Sequence, residues 1–315
     1  MIGLVLLGLI IYDLTKQFSK LSNLDNYKSE MMNAISSNGW GYLILVLALM
    51  FAQWLIEAVR WKIVTASIQP MNILTALKMV FTGSSFSLVT PNRTGDFIGK
   101  IMHIPSDKRA AATALSFYGS FLQWIIYCFF GTLSLFLLDL FVPPEKMPLV
   151  LSKSIYLLKW ISPFLITGAI ALLSSLGWVS KTFGAISFVK KFVAVFQHLS
   201  TIKISQIFLM SVLTMLRTFV FVFQYVLIFT WLGVDLQWYE VFLGITIMVY
   251  GLAILPTLSF FEIGLRLEFS YYLFSLFTAN LFAITVGTTI IYIVNIVFPA
   301  IIGSFWLIFK PKSVG

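Results

Sequence analysis

The sequence predicts an all-α polytopic membrane protein of about six to eight transmembrane helices, two of them broken or re-entrant, with an inverted repeat relating its halves. Three observations predict it. Of the 315 residues 59% are hydrophobic and only 10% charged, against roughly 25% charged in an ordinary soluble domain; polar surface is too scarce to cover a water-facing body, so lipid must be the solvent. Apolar runs long enough to cross a hydrocarbon core of about 30 Å recur along the chain. Finally, Lys and Arg gather in alternate connections between those runs, as they do when basic residues are retained on the cytoplasmic side.

Residues 2–12 come first. As a helix they would cover only about 16 Å, and they lack the basic leader and small-residue cleavage site of a signal peptide, so they read as a short span. Five runs qualify cleanly as spans: 41–59, 114–138, 155–176, 204–232 and 281–309. Two more, 73–89 and 241–258, run into Thr90-Pro91 and Leu255-Pro256. With 60–72, 93–112, 177–203 and the C-terminal tail placed inside, those connections carry 12 of the 21 basic residues, Arg60 and Lys100 among them, while seven of the 12 acids fall outside. Segment 73–89 must then dip in and return, and 241–258 must dip from the opposite face. Corresponding interruptions in two oppositely oriented halves are the pattern of inverted-repeat transporters with a central site. The other reading is two ordinary kinked spans, the freed carbonyls re-satisfied by neighbours.

The whole of 1–315 reads as a single transmembrane domain with a first half at 41–140, a second at 204–309 and an interfacial linker at 181–203. Helical projection of that linker puts Lys190 and Lys191 on one side and Phe188 and Phe192 on the other. Such a helix lies on the inner leaflet, either sensing lipid or simply resting there. The +9 charge is spread over membrane-flanking connections and not one face, so nucleic acid is not an expected partner.

Several chemistries are absent from the pattern. Cys128 is the lone cysteine, which excludes an intramolecular disulfide, and His103 and His198 are far apart without Cys partners, so no metal and no cofactor is expected. Residues 95–101 (GDFIGKI) imitate a phosphate loop but have three residues between the glycines and Ile101 in place of Ser or Thr. The sequon at Asn92 falls on the predicted inner side, where glycosylation does not occur. No nucleophile, metalloprotease or Asp-rich metal motif is present, and no enzyme activity is expected.

Three places carry charge where lipid should be. In Thr90-Pro91-Asn92-Arg93-Thr94-Gly95-Asp96, Pro91 ends one helix, Gly95 permits close backbone approach, and Thr94 or Asp96 caps the next helix. A helix start beside the Arg93 guanidinium suits a phosphate; alternatively Arg93 merely pairs with Asp96 in a turn. Pro256 breaks the second interrupted run ahead of Glu262, Gly264 and Arg266, where Glu262 and Arg266 stand i,i+4 in the favourable order and either line a site or serve as structure. Pro91, Pro256 and Gly264 are read as the structural helix breaks. Arg217, thirteen residues into its run with Gln224 on the same face, must find a partner or a wet cavity. By contrast Glu57, Arg60 and Trp61 read as an anchor: an i,i+3 ion pair and an interfacial ring at the end of a span.

Glu57-Ala58-Val59-Arg60-Trp61, then Thr90 to Asp96, then Pro256 followed by Glu262-Ile263-Gly264-Leu265-Arg266 resemble, in that order and spacing, the flippase-like transmembrane region of lysylphosphatidylglycerol synthases over nearly the whole chain. The resemblance implies a multi-pass bacterial inner (plasma) membrane protein with its C-terminus cytoplasmic, whose substrate is a membrane phospholipid or polyprenyl-linked lipid moved between leaflets. Synthase members carry a soluble aminoacyl-transferase domain after the membrane part; the sequence ends at Gly315, so aminoacyl transfer is not expected. Asn92 and Asp96 stand where that family often shows Gly and Glu, and Glu268 is displaced by one from its Arg-Glu pair, which leaves the headgroup open. The expected function is a lipid or lipid-linked-sugar flippase-like protein that binds an anionic phosphate headgroup through Arg93, Thr94, Gly95, Asp96, Glu262, Arg266 and Arg217. The alternative is a non-catalytic scaffold for an envelope lipid or polysaccharide biosynthesis enzyme.

Overall fold

The computed structural model describes residues 39–88, 94–143, 149–183, 202–255 and 259–308, with Ser29, Met32, Asn33, Thr90, Glu145 and Met147 besides. The expectations for residues 2–12, for Pro91, Arg93 and Pro256, and for most of the 181–203 linker lie outside the described residues. Those described are overwhelmingly α-helical, with no strand among them.

Five helices are long and apolar enough to cross a membrane, and they coincide with the five clean runs. They are α1 (Trp40–Thr65), α4 (Arg109–Phe141), α5 (Leu149–Phe183), α6 (Ile204–Trp231) and the pair α9 (Leu281–Tyr292) and α10 (Phe298–Ile308), joined by a π turn over Ile293–Val297. The turn has a local cause: Pro299 has no N–H to give the carbonyl of Asn295, and the backbone widens just before it. Termination of α6 is equally legible. Gly233 takes φ 74°, Gly233 N–H donates to the Thr230 carbonyl and Val234 N–H to that of Phe229, closing the helix with a left-handed glycine. Phe164, Phe208 and Leu140 project outward, fully in keeping with a lipid-facing surface.

Both interrupted runs fold back on themselves. The first gives α2 (Ile73–Ser87), started by the Asn72 side chain accepting from Thr75 N–H at 2.8 Å, and α3 (Gly95–Ile101). At 1.5 Å per residue α2 covers about 22 Å, short of a 30 Å core. A Cβ on Gly95 would lie 2.3 Å from the Phe86 carbonyl oxygen, and one on Gly99 2.5 Å from that of Thr82. Only glycine permits this contact, and the pairing order shows α3 running antiparallel to α2. The second run gives α7 (Trp238–Ile254) and α8 (Ser259–Phe274), where Gly251 lies against Phe269, Ser270 donates to Met248 Sδ at 3.3 Å and Gly244 lies against Phe274. That too is an antiparallel hairpin.

The packing repeats between halves. Helices α1 and α6 pack side by side in opposite directions: Gln206 Nε2 donates to the Ile63 carbonyl, Arg217 meets Glu57, and Gln224 Nε2 donates to the Val46 carbonyl. Hairpin helix α2 packs on α10, with Gly303 against the Phe81 carbonyl, and its counterpart α7 packs on α4, with Gly131 against Tyr250. The helix that opens each half, α1 and α6, thus meets its counterpart antiparallel, as an inverted repeat would place them. Because α2 starts where α1 ends and α7 starts where α6 ends, the hairpins enter from opposite faces. Their inner ends meet: Leu88, at the end of α2, packs on Ile263 and Leu267 of α8 together with Tyr292 and Ile296.

Three expectations need correction. Gly264 breaks nothing; it lies within α8, and a Cβ there would meet no neighbour within 4 Å. Arg60 and Lys100, placed among the connecting-loop charges, are both 3% exposed inside the helix bundle. Trp61 is no interfacial ring either, being buried with its indole N–H donating to Met79 Sδ at 3.2 Å.

Candidate functional site

Half-way along α1, α4 and α6 the bundle holds a partly open cavity of about 440 Å³. The aromatic residues Trp54, Trp124, Tyr127, Phe130 and Phe221 line it, with apolar residues of α7 from Ile245 to Ile254. Set into that wall are Arg217 from α6 and the Glu262–Arg266 pair from α8. A large apolar pocket with a few convergent polar groups is the usual form of a ligand site.

The pair on α8 forms as its spacing requires: Arg266 Nε and Nη2 both donate to Glu262 Oε1, at 3.0 and 2.7 Å, and both side chains are buried. Arg266 also lies beside Tyr225 and Tyr292. Arg217 is held from behind the wall. Its Nη1 donates to Glu57 Oε2 at 2.8 Å, and its guanidinium sits 5.8 Å from the Trp54 ring centroid.

Glu57 is the hub of a network spanning both halves. Besides Arg217 it accepts from Arg60 Nη1 at 2.6 Å and Lys100 Nζ at 2.9 Å. Lys100 pairs in turn with Asp96 at 2.6 Å, and Arg60 reaches the Gln123 side chain at 2.6 Å and the Gly119 carbonyl at 3.0 Å. Three cations against two carboxylates leave one positive charge among these residues. A buried group of this kind holds only if its members are mutually satisfied, because each ion forfeits its hydration. Gln123 carries the network to the cavity, its amide donating to Tyr127 Oη at 2.8 Å.

A second polar layer sits at the contact of α1, α6 and the π turn. Gln53 donates to Gln224 Oε1 and, at 3.2 Å, to Asn295 Oδ1; Asn295 donates to Gln224 Oε1 at 3.0 Å. Gln53 and Asn295 also line the cavity.

Of the residues singled out in the sequence, Arg217, Glu262 and Arg266 therefore share one cavity, whereas Thr94, Gly95 and Asp96 do not line it. Gly95 N–H donates to Thr90 Oγ1 at 2.6 Å, and Asp96 is engaged by Lys100, so the helix start expected to hold a phosphate spends its groups on the hairpin itself. Residues the sequence reading undervalued are Glu57, Lys100, Gln53, Gln123, Tyr127 and Asn295. A signal existed for two of them: Gln53 interrupts an apolar run, and Asn295 stands four residues before Pro299 within another.

A family model describing the lysylphosphatidylglycerol synthase TM region matches residues 1–303. The chain belongs to that family. No curated protein and no solved structure matches the chain. Membership, together with five membrane-length apolar helices, makes it an integral membrane protein of a family tied to lipid metabolism and transport.

Proposed function

We propose that this member of the lysylphosphatidylglycerol synthase TM-region family is a flippase-like protein that binds the anionic phosphate headgroup of a phospholipid or lipid-linked sugar and passes it between leaflets, making and breaking no bond. One observation carries the reading: two arginines from different helices, Arg217 on α6 and Arg266 on α8, line a single aromatic-walled cavity at mid-depth. An anion there gains from both, and hairpins entering from opposite faces supply two surfaces that could rock about it. The protein belongs on this reading in the bacterial inner membrane, with the α1–α2 connection and the C-terminus cytoplasmic.

The test is native mass spectrometry of the detergent-purified full chain with dioleoylphosphatidylglycerol, and with dioleoylglycerol as the phosphate-free control. Arg217→Gln is compared with a Glu262→Gln, Arg266→Gln double variant that keeps the second site neutral, and with Arg93→Ala. Retention of the phosphate lipid by wild type, reduced at least about tenfold in the Arg217 and Arg266 variants, supports the reading. Equal retention of both lipids by every variant defeats it and leaves a scaffold for an envelope enzyme.

A further inference from the structure

We infer that the cavity selects a phosphodiester whose headgroup is an uncharged, hydroxyl-rich unit, a glycerol or a sugar, and rejects one carrying ammonium groups. The inference rests on the proposed function and names the substrate class of that same site. It starts from charge. Among the described residues the wall contains one acid, Glu262, and that carboxylate accepts from both Nε and Nη2 of Arg266. The next nearest acid, Glu57, lies behind the wall with three cations on its two oxygens. An aminoacyl headgroup such as a lysyl ester would bring two ammonium groups into a wall whose one carboxylate already neutralises Arg266. Burying a charge unpaired is the largest penalty such a pocket can impose.

The uncharged groups point the same way. Tyr127 Oη accepts from Gln123, and its own proton has no acceptor among the described residues; Ser120 likewise makes no side-chain hydrogen bond there. Gln53, which lines the cavity, spends its amide N–H groups on Gln224 and Asn295, so its amide oxygen is not used in either bond. Donors and acceptors in a wall that also holds Trp54, Trp124 and Tyr127 are what a polyol needs: its hydroxyls hydrogen-bond while its apolar C–H groups meet aromatic surface. A buried polar group left unmatched also discriminates strongly against ligands lacking its partner.

The measurement is competitive binding to the full-length protein in detergent with four probes: dioctanoylphosphatidylglycerol, its lysyl ester, dioctanoylphosphatidic acid and a farnesyl phosphohexose. Expected is binding of the glycerol or hexose probe about tenfold or more tighter than the lysyl ester. Whichever of the two wins separates a phospholipid source from a polyprenyl one. Tyr127→Phe should weaken that winning probe about fivefold while leaving phosphatidic acid unchanged. Lysyl ester bound as tightly as the polyol probes, and lost in Arg217→Gln, would overturn the inference while the phosphate site stands. So would a Tyr127→Phe loss shared equally by phosphatidic acid. Indifference to all four probes would remove both the proposed function and this inference.

Discussion

Glu57 and Arg217, 160 residues apart, meet at 2.8 Å and make the ion pair that ties α1 of the first half to α6 of the second. Glu57 simultaneously holds Arg60 and Lys100, so this one carboxylate fixes the position of the cavity arginine, the re-entrant hairpin and α1 together. Its role differs from that of Glu262, which neutralises a single neighbour on its own helix.

Glu57→Gln should therefore be far more damaging than loss of the network's other carboxylate, Asp96. It leaves Arg60, Lys100 and Arg217 buried against Asp96 alone, and stranding buried charge costs about 3–5 kcal/mol. Thermal unfolding in detergent should show a markedly lower Tm for Glu57→Gln than for Asp96→Asn, whose carboxylate is partly exposed. Equal melting of the two variants would show that Glu57 is not the hub.

The carboxamide layer makes a milder prediction. Gln224→Leu removes the acceptor used by Gln53 and Asn295 and the donor to the Val46 carbonyl. A loss of about 1–2 kcal/mol is expected, since interhelical hydrogen bonds in membranes average below 1 kcal/mol each. Denaturant or thermal melts of Gln224→Leu against wild type measure it.

Two glycines should respond oppositely to alanine. At Gly303 a Cβ would stand 1.9 Å from the Phe81 carbonyl oxygen, backbone that cannot step aside, so Gly303→Ala should push α10 from α2 and lower the Tm. At Gly264 the Cβ meets nothing, and helix propensity favours Ala by about 0.5–1 kcal/mol. Gly264→Ala should leave the Tm unchanged or raise it, and a fall would point to a close approach not present here.

Topology is open to a labelling test. Cys128 is 1% exposed and should ignore a maleimide, so single cysteines report without background. Asp235→Cys, in the exposed connection after α6, should label in intact cells with a membrane-impermeant maleimide, whereas Ser67→Cys, exposed after α1, should label only after permeabilisation. Labelling of both from one side would break the antiparallel relation of the halves.

How much could be read without the tertiary structure follows the range of each interaction. Hydropathy alone located the five crossing helices, because a run of about 20 apolar residues has one low-energy solvent. Gly95 and Gly99 permit the close approach of α3 to α2 because they act on their own backbone, and the Glu262–Arg266 pair followed from i,i+4 spacing on one helix. Gly264 was misjudged because in a helix interior glycine is merely unfavourable, not forbidden. The partner of Arg217 could not be read at all. A charge within a span must be compensated, but which of 12 acids does so depends on which helix faces bury against each other. That choice brings Glu57 to three cations, puts Gln53 beside Gln224 and Asn295, and opens a cavity between them. It is set by the close packing of helices distant in sequence, and no period along a single helix records it.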